Sequence, residues 1–160
     1  MILMKYGFDI VLDFDGTVVK HRYPYVGEDI GAVPVLRKLV NNGHHLLLST
    51  MRSRDSQGID TLQPAIEWFE KNGIPLYGVN ANPTQKEWTS SPKVYGNIYI
   101  DDASLGAPLK ADDNGMPPFI DWSIASVYLY YLGLLTEQDV VDLVNEGAIR
   151  PEHVKIKKKD

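Results

Sequence analysis

FDIVLDFDGTVVK, residues 8–20, places two aspartates at the end of an apolar run and then breaks the run with glycine. The run Phe8–Leu12 is apolar apart from one aspartate near its start, which predicts a buried strand. Asp13 and Asp15 follow it, and like charges this close repel each other unless something neutralises them. Gly16 permits the tight turn that ends the strand. The stretch therefore predicts a strand that terminates in a charged site.

Further apolar strands alternate with helices along the chain. The strands are expected at Phe8–Leu12, His44–Thr50, Leu76–Asn80 and Asn97–Asp101. The helices are expected at Gly31–Asn42, at Asp60–Gly73, from about Trp122, and at Thr136–Gly147. Continuously apolar strands that alternate with helices are typical of a parallel sheet covered on both faces. The pattern predicts an α/β protein with a mostly parallel sheet in a Rossmann-like three-layer α/β/α sandwich.

The composition favours a single soluble domain over residues 1–160. Apolar residues make up 44% of the 160 positions and charged residues 23%, so the chain can bury a core without disulfides. It contains no cysteine, which excludes thiolate metal sites and fits a reducing, cytoplasmic location. The formal net charge of −5 disfavours nonspecific binding of nucleic acid by the whole surface.

Three segments bear on membranes and mobility. The N-terminus carries Lys5 and Asp9 within its apolar stretch and resembles no signal peptide. The run Ser126–Leu135 is shorter than the roughly 20 helical residues that cross a bilayer, so we expect no membrane association. The basic tail at about 155–160 is expected to be mobile.

Polar residues follow the predicted strands at the edge where parallel sheets bind ligands. They are Asp13 and Asp15, Ser49 and Thr50, Lys93 shortly before the fourth strand, and Asp101 and Asp102. Crowded carboxylates are tolerated when a divalent cation neutralises them, and their oxygens suit Mg²⁺. A lysine and a hydroxyl beside that cation suit a phosphate dianion. The set indicates phosphoryl transfer.

Three motifs in this order resemble the haloacid dehalogenase-like (HAD) superfamily of phosphohydrolases. They are DFDGTVV at 13–19, LLLSTMR at 46–52 and YIDD at 99–102. The resemblance covers roughly Gly7 to Leu109. The stretches DGTVVKHRYPYVG, STMR and YIDDASLG further resemble small cap-less bacterial and phage members.

The resemblance implies catalytic roles. Asp13 would attack phosphorus and form an aspartyl-phosphate, and Asp15 would act as general acid and then as general base. Thr50 aligns with the second-motif hydroxyl because it opens a T-x-R pattern, with Ser49 as the alternative. Lys93 would be the charge-neutralising lysine, with Lys86 as its competitor.

The same resemblance implies binding roles. The Mg²⁺ ligands would come from Asp13, Asp15, Asp101 and Asp102. The substrate contacts would come from Gly16, Thr17, Ser49 and Arg52, although Arg52 fits a surface role equally well. His21 and Arg22 fall where HAD proteins place a flap over the site.

The chain between the motifs has no room for a large cap domain. The predicted site is therefore open, which suits a bulky substrate such as a nucleic-acid end, or a small phosphomonoester in a homo-oligomer whose neighbour closes the site. The loop GAPLKADDNGMPPF at 106–119 would act at most as a partial lid. A polynucleotide-end phosphatase is one specific version of this function, and a non-catalytic phosphate-binding or interaction module on the same fold is the rival from another class.

Overall fold

The computed structural model describes residues 7–154, and the tail predicted to be mobile at about 155–160 lies outside the described residues. The strands are β1 Asp9–Leu12, β2 His45–Leu48, β3 Gly78–Val79, β4 Ile98–Ile100, β5 Leu109–Lys110 and β6 Phe119–Ile120. The helices are α1 Ala32–Asn41, α2 Leu62–Lys71, α3 Trp122–Tyr131 and α4 Glu137–Asn145, with short 3-10 helices at Gln85–Glu87 and Pro151–His153. Each predicted strand and helix is present, with ends slightly inside the predicted bounds.

The main sheet is parallel and has the strand order β3-β2-β1-β4. Leu12 pairs in register with Leu48 of β2 and with Ile100 of β4. The predicted α/β class with a parallel sheet is therefore confirmed, and the arrangement is compatible with a Rossmann-like fold. The chain moves outward from β1 to β2 and β3 and then returns to the other side of β1. This reversal makes the crevice between the ends of β1 and β4 a topological switch point, where such sheets bind ligands.

The core forms where the central strands meet the helices. Ile10 and Leu12 of β1 are fully buried, and so are Val35, Leu36 and Leu39 on one face of α1. Burying one such side chain stabilises the fold by about 1.5–3 kcal/mol. The helices α3 and α4 pack against α1 and against each other. This packing anchors the helices that follow the switch point.

Two of the helices begin at side chains that satisfy their free backbone N–H groups. Thr136, the predicted N-cap, accepts from the Asp139 amide at 3.0 Å, and the Asp139 carboxylate accepts from the Thr136 amide in return. Asp121 accepts from the amides of Ser123 and Ile124 at the start of α3. Such caps contribute about 1 kcal/mol each and fix the residue at which each helix starts.

The loop predicted at 106–119 contains β5 and the first residue of β6, and these two strands pair antiparallel. Its strands have two residues each, too few to show an apolar alternation in a sequence rich in glycine and proline. The Ile120 amide donates to the Gly16 carbonyl at 2.9 Å, which ties this hairpin to the turn after β1. The hairpin is thus specified by a contact distant in sequence.

The connections between the strands of the main sheet are short. The chain between β1 and β2 contains a loop and α1, the chain between β2 and β3 contains α2, and the chain between β3 and β4 contains only a 3-10 helix and loops. Within residues 7–154, no folded unit of domain size is inserted among these strands. In the same part of the chain, no helix has the length and apolarity to cross a membrane.

Trp122 fastens α3 to the turn after β1, since its indole N–H donates to the Thr17 carbonyl at 2.7 Å and its side chain is 1% exposed. Replacing Trp122 with Phe removes this donor and leaves a buried carbonyl unsatisfied. We expect the free energy of unfolding to fall by about 1–3 kcal/mol. Urea unfolding measures the change. Trp88→Phe is the matched control, because Trp88 is 62% exposed, and an equal loss in both variants would contradict the assignment.

Candidate active site

Three carboxylates meet at the switch point of the sheet. Asp13 continues β1, and its amide donates to the Ile100 carbonyl at 3.0 Å, which holds it beside the end of β4. Asp101 and Asp102 follow β4 directly. One carboxylate oxygen from each of these three residues lies within 4.8 Å of the others. The structure thus brings together three of the four predicted metal ligands by their side chains.

Thr17 joins the two acidic strand ends. Its hydroxyl lies 3.2 Å from Asp13 Oδ2 and 3.4 Å from Asp102 Oδ1, and it accepts from the Asp102 amide at 3.1 Å. The side chain is 0% exposed. Thr17 thus holds the carboxylates of Asp13 and Asp102 together, and the substrate contact predicted for Thr17 stays a prediction.

Gly16 makes the turn that allows a close approach by His21. Its φ is +79°, and a Cβ there would lie 2.1 Å from His21 Nε2 and 2.4 Å from Asp102 Oδ2. Only glycine fits both the backbone angle and the space. The Gly16 amide donates to the Val19 carbonyl at 2.8 Å, and the substrate contact predicted for Gly16 stays a prediction.

His21 contacts the acidic cluster directly, with Nε2 2.9 Å from Asp102 Oδ2. It belongs to a strap, residues 20–28, whose ends pair through the Lys20 amide and the Glu28 carbonyl at 2.9 Å. This strap occupies the place predicted for a flap. His21 therefore fastens the strap to one of the two acidic strand ends.

The pKa of Asp13 is raised from 3.8 to about 7. Burial is the largest cause, and the neighbouring negative charges of Asp101 and Asp102 add to it, while hydrogen bonds from the Phe14 amide and Thr17 lower it. Three hard oxygen donors that repel one another in this way suit a divalent cation such as Mg²⁺. The residues present therefore fit the metal that the sequence predicts.

The end of β2 carries the two candidate hydroxyls. The Ser49 amide donates to the Leu12 carbonyl at 2.7 Å and continues the β-ladder. The Thr50 amide donates to Asn80 Oδ1 at 2.8 Å, and the Thr50 hydroxyl accepts from the Arg52 amide at 3.1 Å. Both hydroxyls stand one strand away from Asp13, so the choice between them stays open.

Asn80 is a site residue that the sequence reasoning missed. It follows β3 with a φ of 50°, a left-handed conformation that asparagine tolerates better than most residues. Its side chain fixes the Thr50 backbone. The signal that identifies it is the same one that identified the aspartates, a polar residue directly after an apolar strand.

Arg52 is buried, with 2% of its surface exposed. Its Nε and Nη2 donate to the two carboxylate oxygens of Asp15 at 2.7 Å each. Its remaining N–H groups donate to the carbonyls of Pro24 and Thr61 at 3.1 Å and of Tyr25 at 2.8 Å. All five donors of the guanidinium are occupied. The burial of Arg52 excludes the alternative surface role, and the substrate contact predicted for Arg52 stays a prediction.

Neither candidate lysine forms an ion pair with the acidic cluster within residues 7–154. The Lys93 ammonium lies 5.2 Å from the centre of the Tyr99 ring. Tyr99 stands two residues before Asp101, so the two side chains project to the same side of β4 by strand alternation. Lys86 lines a cavity of about 410 Å³ together with Asn80. The choice between Lys93 and Lys86 therefore stays open.

The fold and this cluster describe an α/β protein with a carboxylate site at the switch point of a parallel sheet. A conserved protein from Bacteroides thetaiotaomicron, known as a solved structure, is similar to this chain, with 32% sequence identity and a TM-score of 0.58. The match covers 84% of this chain and 97% of that one. The chain therefore belongs to the same family as that protein, whose description names no activity. No protein-family model and no curated protein matches.

The raised pKa of Asp13 predicts a specific pH dependence of stability. The folded protein binds a proton at Asp13 up to about pH 7, whereas the unfolded chain loses it near the ordinary value of 3.8. The contribution of Asp13 to the free energy of unfolding therefore falls as pH rises from about 4 to about 7 and is constant above that range. Mg²⁺ should offset this fall, because it favours the ionised carboxylate.

Urea unfolding of wild type and Asp13→Asn across this pH range, with EDTA or with Mg²⁺, measures the effect. We expect the wild type in EDTA to lose stability with pH relative to Asp13→Asn, and Mg²⁺ to reduce the difference. Identical pH profiles in the two proteins would contradict the assignment. Asp113→Asn is a suitable control, because Asp113 is exposed in the β5–β6 turn.

Proposed function

We propose that this protein is a Mg²⁺-dependent phosphomonoester hydrolase of the HAD type that acts through an aspartyl-phosphate. The observation that supports it best is the convergence of Asp13, Asp101 and Asp102 within 4.8 Å at the switch point of a parallel sheet. The three-layer HAD-like architecture and the cytoplasmic location are parts of the same proposal. A binding module has no need for a second carboxylate, Asp15, beside such a cluster.

The metal ligands in this proposal are the carboxylates of Asp13, Asp101 and Asp102, with Asp15 contributing through its backbone carbonyl. Bound Mg²⁺ would neutralise the carboxylates and the phosphate dianion and so allow two anions to approach. Thr17 keeps the donors of β1 and β4 at a fixed separation. His21 holds the second oxygen of Asp102 at 2.9 Å.

The chemistry divides into two steps at Asp13 and Asp15. A carboxylate oxygen of Asp13 forms a bond to phosphorus while the ester P–O bond breaks, and protonated Asp15 gives its proton to the leaving oxygen. Asp15 then takes a proton from water as the water oxygen attacks the same phosphorus. The bond between Asp13 and phosphorus breaks, inorganic phosphate leaves, and both aspartates return to their starting states.

The phosphate would be oriented by groups beside Asp13. Thr50 or Ser49 supplies a hydroxyl from the end of β2, and Asn80 holds the Thr50 backbone in place. Lys93 would supply positive charge from the Tyr99 side of β4.

The short connections between the strands leave the site open. The substrate class is a phosphomonoester, either a small molecule or a nucleic-acid end, and a homo-oligomer would enclose the smaller substrates.

A phosphatase assay tests the proposal directly. We expect Mg²⁺-dependent hydrolysis of an aryl phosphate, a nucleotide or a phosphorylated oligonucleotide, and a loss of more than about a thousandfold in kcat for Asp13→Asn. The reason is that the amide cannot attack phosphorus. Asp113→Asn should retain wild-type activity.

Full activity in Asp13→Asn would refute the nucleophile assignment. Binding of inorganic phosphate by the wild type without turnover of any substrate would favour the non-catalytic module. Calorimetry with inorganic phosphate and Mg²⁺ provides that measurement.

The two candidate lysines provide a matched pair, because both are exposed and both lie between β3 and β4. We expect Lys93→Ala to lower kcat/KM by about 10-fold or more, since it removes positive charge near the phosphate, and Lys86→Ala to have little effect. Steady-state kinetics with one aryl phosphate measures both. The reverse pattern would transfer the role to Lys86.

A further inference from the structure

We propose that Arg52 is a positioning residue that orients the Asp15 carboxylate for proton transfer and ties the strap at 20–28 to that carboxylate. The inference rests on the proposed function, because it assigns Asp15 the role of proton donor and acceptor. It adds a residue that acts through Asp15 and makes no contact with the substrate.

The first support is the geometry of the ion pair. The guanidinium meets Asp15 with two parallel donors, Nε to Oδ2 and Nη2 to Oδ1, at 2.7 Å each. A planar two-point contact fixes the plane of the carboxylate as well as its position. Each carboxylate oxygen retains a second lone pair beyond its bond to the guanidinium.

The second support is that the guanidinium itself cannot turn. Its Cζ atom lies 5.0 Å from the centre of the buried Phe14 ring and 5.3 Å from the centre of the Tyr23 ring. Its other donors end on the carbonyls of Pro24, Tyr25 and Thr61. Contacts from the strap and from the residue before α2 therefore fix the orientation of the guanidinium. The ion pair in turn fixes the orientation of the Asp15 carboxylate.

The third support is that the strap is fastened at both acidic strand ends. His21 contacts Asp102 beyond β4, and the carbonyls of Pro24 and Tyr25 reach Asp15 through Arg52. Through His21 and Arg52, the strap is therefore connected both to Asp102 after β4 and to Asp15 after β1.

A purely structural arginine is the rival explanation, since loss of a buried ion pair destabilises a protein in any case. The positioning role and the purely structural role differ in how the loss of rate depends on the leaving group of the substrate. A poor leaving group, such as an alkoxide, needs the proton from Asp15, whereas a dinitrophenolate leaves without one. Loss of a positioned acid therefore slows an alkyl phosphate far more than a dinitrophenyl phosphate, and a general loss of folded protein slows both equally.

The experiment compares kcat/KM for an alkyl phosphate and for 2,4-dinitrophenyl phosphate in wild type, Arg52→Ala and Arg52→Lys, with Mg²⁺ present. We expect Arg52→Ala to lose about 10- to 100-fold with the alkyl phosphate and only a few-fold with the dinitrophenyl ester. Arg52→Lys should fall between, because it keeps the charge and loses the planar contact. Inhibition by inorganic phosphate should be unchanged in each.

Arg54→Ala is the matched control, because Arg54 is exposed and pairs with Asp60 at 2.8 Å away from the cluster. It should behave as wild type. Thermal unfolding shows whether each variant is folded. If Arg52→Ala is not folded, the two esters are compared in Arg52→Lys, with and without added guanidinium ion.

Equal losses with both esters would overturn the positioning role and leave the proposed hydrolase intact. Weaker inhibition by inorganic phosphate in the Arg52 variants would instead make Arg52 a phosphate ligand. A wild type that hydrolyses neither ester would overturn the proposed function and this inference with it.

Discussion

Repulsion among the carboxylates at the ends of β1 and β4 is the constraint on which the site depends. Asp13, Asp101 and Asp102 are brought together by strand pairing, and their proximity together with burial raises the pKa of Asp13 to about 7. A protein gains no stability from such crowding by itself. In the proposed function the carboxylates act together on a cation and a phosphate, and the neighbouring polar groups hold the carboxylates in place.

Those neighbouring groups form two separate supports. Thr17 and His21 hold the Asp102 carboxylate after β4 through direct hydrogen bonds. Arg52, whose side chain is almost fully buried, holds Asp15 through an ion pair. Both supports involve the strap at 20–28, which thereby links the acidic residue proposed to move protons with the acidic residues proposed to bind the metal. Rigid support of this kind is what a proton-transfer site requires.

Much of the fold follows from local pattern in the sequence. The apolar run before Asp13, the capping Thr136 and the alternation of strands with helices each specify a structure within about ten residues of chain. The strand order and the β5–β6 hairpin do not follow from local pattern. They depend on pairings such as that of the Ile120 amide with the Gly16 carbonyl, between residues that are far apart in sequence.

The candidate site also combines features that the local sequence specifies with features that depend on tertiary contacts. The sequence by itself determined that acidic and hydroxyl residues follow several strands at one edge of the sheet, because parallel strands present their carboxyl ends on one edge. Only the tertiary structure decided that Thr17 is buried between carboxylates and that every N–H donor of the Arg52 guanidinium bonds to an acceptor within the protein. The physical reason is that a motif fixes which groups are present, whereas their hydrogen-bond partners come from segments that only folding brings within about 3 Å.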